Sequence, residues 1–126
     1  MKAHRTFLTA ALVFALGAAS VAAAEAFHFA LSKSAPTADA TVAVAEEVRL
    51  WFTEAPAANS VGIRLIDAAG EAVATTEVAA DPEDGAVFFV KPMAPLSTGR
   101  YTVSWRGVGD DGHVVRGDFG FSVTAQ

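Results

Sequence analysis

The sequence predicts an all-β domain, an antiparallel sandwich or barrel, preceded by an export signal. Three observations predict it. Short runs alternate apolar and polar residues with a period of two. Clusters of Gly, Pro and Asp separate those runs at regular spacing. No window beyond the first 26 residues has a convincing helical period.

The elements are taken in chain order. Val48, Leu50 and Phe52 alternate with Arg49, Trp51 and Thr53, the pattern of a half-buried strand. Val61, Ile63 and Leu65 alternate with Gly62, Arg64 and Ile66. Residues 67–70 (Asp-Ala-Ala-Gly) make a turn, and residues 72–78 can run back as a hairpin partner. Residues 81–85 form a second turn cluster before a strand over residues 86–90, and Pro92 and Pro95 interrupt regular structure beyond it. Tyr101, Val103 and Trp105 share one face of the next strand, and Phe119, Phe121 and Val123 share a face of the last. The Ala-rich stretch 38–45 has helical propensity, but its Thr and Val content and short length read as loop or strand. In a sandwich, Phe52, Tyr101, Trp105, Phe119 and Phe121 supply much of the core.

Residues 1–26 read as a signal peptide. Lys2, His4 and Arg5 give a basic start, an apolar run extends from Phe7 to Leu16, and Ala24-Glu25-Ala26 fits the A-x-A cleavage pattern. The apolar run is shorter than the roughly 20 residues a membrane span needs. The expected product is an exported domain of residues 27–126, enough for a single core.

Composition narrows the chemistry. The formal charge is −5, and removing the basic signal leaves the rest more acidic still, so nucleic acid is not an expected partner. The chain has no cysteine, which excludes disulfides, thiolate metal sites and cysteine nucleophiles. Beyond the signal Met93 is the sole methionine, so a thioether-rich Cu(I) site is not expected. No nucleophile elbow, phosphate loop or dinucleotide motif occurs, which weighs against an ordinary hydrolase or transferase.

Two features carry metal chemistry. Asp111-Gly112-His113 places a carboxylate and an imidazole two residues apart, with a glycine between them that lets another group approach. A hard oxygen beside a borderline nitrogen suits Cu(II) or Zn(II) better than Mg(II) or Ca(II). On spacing alone, a solvated Asp-Gly turn with an incidental histidine is the commoner explanation of the motif. His28 is the other histidine outside the signal and sits beside the expected new terminus. Two imidazoles, a carboxylate and a terminal amine form the nitrogen and oxygen set that Cu(II) prefers. Glu54, at the end of its strand, is a candidate outer-shell acceptor or an ordinary solvated acid. Arg106 and Arg116 flank the turn and are placed to pair with Asp110 or Asp118.

Read together, these segments resemble the CopC family of periplasmic copper-resistance proteins. The likeness begins at His28-Phe-Ala-Leu31-Ser-Lys-Ser-Ala-Pro36 and continues at Val48-Arg-Leu50-Trp-Phe52-Thr-Glu54. It is strongest across Pro95-Leu-Ser-Thr-Gly99-Arg-Tyr101-Thr-Val-Ser-Trp105-Arg106, Asp111-Gly-His113 and Gly117-Asp-Phe119-Gly-Phe121-Ser-Val123. The resemblance implies a Greek-key sandwich or barrel of the cupredoxin-like or immunoglobulin-like kind. It implies one Cu(II) ion held by His28, Asp111 and His113, with Glu54 in the outer shell. It implies a non-enzymatic, monomeric protein that buffers copper or delivers it, alongside a CopD-like inner-membrane protein. Two departures stand out. Phe27 precedes His28 at the expected cleavage site, whereas an amine-plus-ring brace needs the histidine first. The methionine-rich Cu(I) site of some members has no counterpart. The competing readings are a histidine-brace copper oxidase of the monooxygenase type, with Trp51 as its candidate substrate-facing aromatic, and a metal-free structural sandwich.

Overall fold

The computed structural model describes residues 28–124, so the signal reading, Phe27 and the last two residues lie outside the described residues. Eight strands occur, and no helix does among the described residues. They are β1 (Leu31–Ala35), β2 (Thr41–Val42), β3 (Val48–Phe52), β4 (Gly62–Ile66), β5 (Ala79–Asp81), β6 (Asp84–Val90), β7 (Gly99–Val108) and β8 (Val114–Val123). One sheet has the order β1-β3-β6-β5 and the other β2-β8-β7-β4. Two separate four-stranded sheets make this the sandwich form of the expectation. All pairings are antiparallel except β2 with β8, which is parallel.

The period-two pattern decides which residues meet between the sheets. Val48, Leu50 and Phe52 of β3 and Val61, Ile63 and Leu65 on and just before β4 are buried. So are Tyr101, Val103 and Trp105 of β7 and Phe121 and Val123 of β8. Phe119, Phe88 and Leu96 pack against this cluster from its margin. Rings hold the middle: Phe52 lies 5.5 Å from Trp105 and 6.1 Å from Phe88, centroid to centroid. Gly117 faces Trp105 across the β7–β8 pair, and a Cβ there would stand 2.6 Å from the indole Cζ2. The Tyr101 hydroxyl donates to the Ser97 carbonyl at 2.7 Å, just before β7 begins. Such a tyrosine corner is a feature of Greek-key sandwiches.

The outer face of the first sheet carries a second, smaller apolar group. Trp51 and Phe89 lie on it, with Val87 buried beside them. Their rings are roofed by cations: Lys33 Nζ stands 4.5 Å from the Trp51 ring and the Arg49 guanidinium 4.6 Å from Phe89. Trp51 is therefore half-buried beneath a lysine and not displayed as a free aromatic platform.

The hairpin partner expected at residues 72–78 is not a strand. It returns along the free edge of β4 only at its start, where Ala72 bridges Ile66 and the Val73 amide donates to the Leu65 carbonyl at 2.8 Å, and it then leaves to bridge Pro92 from Thr75. Val73 is the segment's side chain that packs on the core, and its Ala and Glu residues are poor strand formers. The turn before it does form as expected. Asp67 Oδ1 accepts from the Ala69 and Glu71 amides, each at 2.9 Å, and Gly70 takes a φ of 83°.

Asp81 closes the β5–β6 turn and receives Arg49 Nη1 at 2.7 Å, while Arg49 Nε reaches Glu47 at 2.6 Å. The Glu83 amide first, and then the Arg49 guanidinium, hold the Asp81 carboxyl below its usual range. Because the folded value is depressed, this contribution to stability is present above the unfolded carboxylate range, near pH 4. It is lost as pH falls through the folded value. Asp81→Asn is therefore expected to lower the thermal midpoint at pH 7, with the gap to the parent narrowing as the pH falls below the unfolded carboxylate range, as followed by far-ultraviolet circular dichroism.

Candidate metal-binding site

The site lies at one end of the sandwich, where β7 runs out. The inner face of β7 carries Trp105 and then Gly107, and Gly109 follows just past the strand's end; the missing side chains of the two glycines leave space. Phe29 fills it. Phe29 is 5 % exposed, its ring lies tilted 4.8 Å from that of Phe52, and a Cβ on Gly107 would meet Phe29 Cζ at 2.7 Å. Burying a phenylalanine contributes about 2–3 kcal/mol. That anchor fixes the chain one residue after His28.

Thr53 fixes it again. Its hydroxyl donates to the His28 carbonyl and accepts from the Ala30 amide, both at 3.0 Å, and its own amide donates to the Ala30 carbonyl at 2.9 Å. The imidazole of His28 thus projects from a backbone held at its own carbonyl and at Ala30, and the residue is exposed.

The β7–β8 turn supplies the other groups. Gly109 donates to the His113 carbonyl and Gly112 to the Gly109 carbonyl, at 3.2 and 3.0 Å, with Gly112 at a φ of 82° that favours glycine. This turn folds Asp111 back on His113. Asp111 Oδ1 accepts the His113 amide at 3.0 Å, and Oδ2 lies 2.9 Å from His113 Nδ1. The His113 amide and then its ring lower the Asp111 carboxyl below the usual range. The charges of His113 and His28 add to this, and partial desolvation opposes it. An ionised Asp111 makes Nδ1 the protonated ring nitrogen, so Nε2 keeps its lone pair free for a metal. The His113 side chain is 84 % exposed and that of Asp111 46 %.

Glu54 reaches the same place from the end of β3. A Cβ on Gly109 would stand 3.2 Å from Asp111 Oδ1 and 3.5 Å from Glu54 Oε1, so both carboxylates converge over that glycine. Glu54 Oε1 is buried without a hydrogen-bond partner. A buried carboxylate oxygen left unpaired is costly, and it is the kind of group a cation or a ligand's proton satisfies.

The four predicted residues therefore share one end of the fold. Asp111 and His113 touch and Glu54 adjoins Asp111, while His28 is held at this end through its carbonyl and makes no hydrogen bond or ion pair with the other three among the described residues. Among the described residues, no three His, Asp or Glu side chains stand close enough together to form a ready ligand set. Arg106 and Arg116 do not pair with Asp110 or Asp118: the ion pairs among the described residues are those of Arg49, Arg100 and the His113–Asp111 contact. Sequence reading missed Phe29, Thr53 and the two glycines. The Gly-Val-Gly run ahead of Asp110 was the signal that a bulky group nests there.

The model of the CopC domain family matches residues 31–124. The chain belongs to the CopC family. Asp111, His113 and Glu54 fall within the matched span, and His28 just precedes it. The chain is 37 % identical over 123 residues to copper resistance protein C of Xanthomonas campestris pv. juglandis, covering 93 % of this chain and 97 % of the relative. Among solved structures it is similar to PcoC, a methionine-rich copper resistance protein from Escherichia coli. The TM-score is 0.69 with 31 % identity, over 77 % of this chain and 99 % of that one. The CopC of Methylosinus trichosporium OB3b shares the fold at a TM-score of 0.71 and 24 % identity, over 79 % of this chain and 96 % of that one.

Thr53→Ala removes both hydroxyl hydrogen bonds to the N-terminal segment. Each is worth about 1 kcal/mol, so amide exchange at Ala30 is expected to quicken about fivefold or more, with Thr53→Ser restoring protection. Exchange measured by NMR checks this.

Proposed function

We propose that this protein is a periplasmic Cu(II)-binding protein of copper resistance that takes one ion at the end of the sandwich defined by His28, Asp111 and His113. The observation that carries the proposal is the fixed Asp111–His113 pair beside the unpartnered, buried Oε1 of Glu54, at the end of the fold where Thr53 holds the His28 backbone. The copper resistance proteins among the relatives support the choice of metal.

The donor set fits the cargo. Imidazole nitrogen and carboxylate oxygen suit Cu(II), and no thiolate is available to favour Cu(I). His113 offers Nε2, and Asp111 holds its ring in that tautomer, able to turn an oxygen toward the ion. His28 brings its ring from the segment before β1, and Glu54 supplies negative charge from behind. Met93, 66 % exposed, stands without another methionine among the described residues, so this reading assigns one Cu(II) site and no methionine-rich Cu(I) site.

Exposure of His113 suits a site that exchanges its ion. The role in this reading is non-enzymatic: buffering copper or passing it to a CopD-like inner-membrane protein, with the carrier acting as a monomer. The oxidase reading gains nothing from Trp51, which lies beneath Lys33.

His113→Ala is expected to weaken Cu(II) binding at least about tenfold, with Glu54→Gln giving a smaller loss, in competition titrations against a chromogenic chelator. Affinity of the parent is expected to fall from pH 7 to pH 5, on the order of 20-fold for each reference imidazole that ligates. Copper affinity indifferent to both His113→Ala and acid would overturn the assignment.

A further inference from the structure

The outer face of the second sheet holds three arginines that nothing in the copper reading uses. Arg106 of β7 is the cross-strand partner of Arg116 in β8 and of Gly62 in β4, and Arg64 lies two residues along β4 on the same face. Together with Ser104 they line one shallow pocket of about 220 Å³. All three arginines are exposed. Arg106 lies flat across the sheet toward β4, where the absent side chain of Gly62 leaves room: a Cβ there would stand 3.0 Å from Arg106 Nε.

Asp118, opposite Ser104 in the Arg64 row, lies on the same face, yet it pairs with none of the three arginines. Among the described residues the other two arginines are ion-paired, Arg49 with Glu47 and Asp81, and Arg100 with Asp39. Among those same residues, Arg64, Arg106 and Arg116 have no carboxylate within ion-pair distance, although the chain as a whole is acidic at −5. Like charges placed directly across two strands destabilise a sheet. The Arg106–Arg116 pair therefore costs the free protein stability that an arriving anion offsets.

We propose that this face docks an acidic, extended segment of a protein partner, with its carboxylates seated on Arg64, Arg106 and Arg116. Guanidinium forks match carboxylates in a bidentate way. Alternate side chains of an extended peptide are about 6.8 Å apart, the same step that separates Arg64 from the Gly62–Arg106–Arg116 row. Exposed Val114 continues the face beyond Arg116 and gives such a segment an apolar contact. An anionic bilayer is disfavoured. Three cations attract such a surface only weakly, and the rest of this acidic chain is repelled.

The test uses the exported, copper-free chain and a fluorescein-labelled ten-residue peptide of alternating Glu and Ser, monitored by anisotropy at 20 mM salt. Binding is expected, and it should weaken at least about tenfold at 200 mM salt, as a contact with three charges does. It should weaken about tenfold or more in Arg64→Gln/Arg106→Gln/Arg116→Gln, and it should persist in His113→Ala. Amide shifts in an NMR titration of the parent should cluster at β4, β7 and β8 around the three arginines. That measurement reads the site directly, even if the triple variant folds poorly. Peptide binding unchanged in a folded triple variant, shifts clustered elsewhere, or binding to phosphatidylglycerol vesicles without binding to the peptide would each overturn the proposal. Because the copper ligands lie on other residues, its failure leaves the metal reading intact.

Discussion

The seating of Phe29 between Phe52 and the glycines at the end of β7 is the contact on which the candidate site depends. A sandwich ends where its strands run out, and its last layer of core must be closed by something. In this chain the closing residue comes from the segment before β1, and Gly107 and Gly109 leave the space it occupies. Phe52 then serves two tasks. It joins the sheets through Trp105 and Phe88, and it supports Phe29. The polar residues next to this packing inherit their positions from it: His28 precedes Phe29, Glu54 lies two residues after Phe52, and the Asp111–His113 turn lies just past Gly109. Four polar side chains are thus delivered to one rim by a single packing arrangement of the core.

That construction places anchored backbones beneath exposed side chains. Thr53 and Phe29 hold the chain beside His28, and the Gly109–His113 hydrogen bonds hold the turn. The imidazole of His113 remains in solvent. For a carrier this division is useful in the proposed reading: side chains rooted in a fixed backbone close on the ion, and exchange comes from an open face. The buried oxygen of Glu54 is the exception, a polar atom kept near the rim without a hydrogen-bond partner. The arginine face on the second sheet has a similar character, because it holds charges that the free chain leaves unbalanced.

Much of the fold is legible in the sequence because period-two patterning reports burial directly. Val48, Leu50, Phe52, Tyr101, Val103, Trp105, Phe121 and Val123 all sit on the apolar phase of their alternating runs, and all are buried. The segment 72–78 returns along β4 only as far as Val73, because residues 74–76 hydrogen-bond to Met93 and Lys91 instead. Alternation cannot reveal that β4's partner comes from β7, some 40 residues on. The closeness of Asp111 and His113 is legible from their spacing and the glycine between them. The roles of Phe29, Thr53, Gly107 and Gly109 are not. They arise from pairing across long sequence separations, which no local pattern encodes. The Arg106–Arg116 pairing escapes for the same reason: an arginine near an aspartate in sequence suggests an ion pair, but the register of β7 and β8 puts the two cations opposite each other.

The central claim is that this rim holds one Cu(II) ion. Native mass spectrometry of the exported protein, given one equivalent of Cu(II) in the presence of competing Zn(II), tests it most directly, because one spectrum reports both the mature terminus and the metal retained. The account predicts a chain beginning at Phe27 or His28 that carries a single copper, with the same copper lost from Asp111→Ala/His113→Ala. A protein that retains no copper with either terminus, or that retains it fully after both ligands are removed, would contradict it.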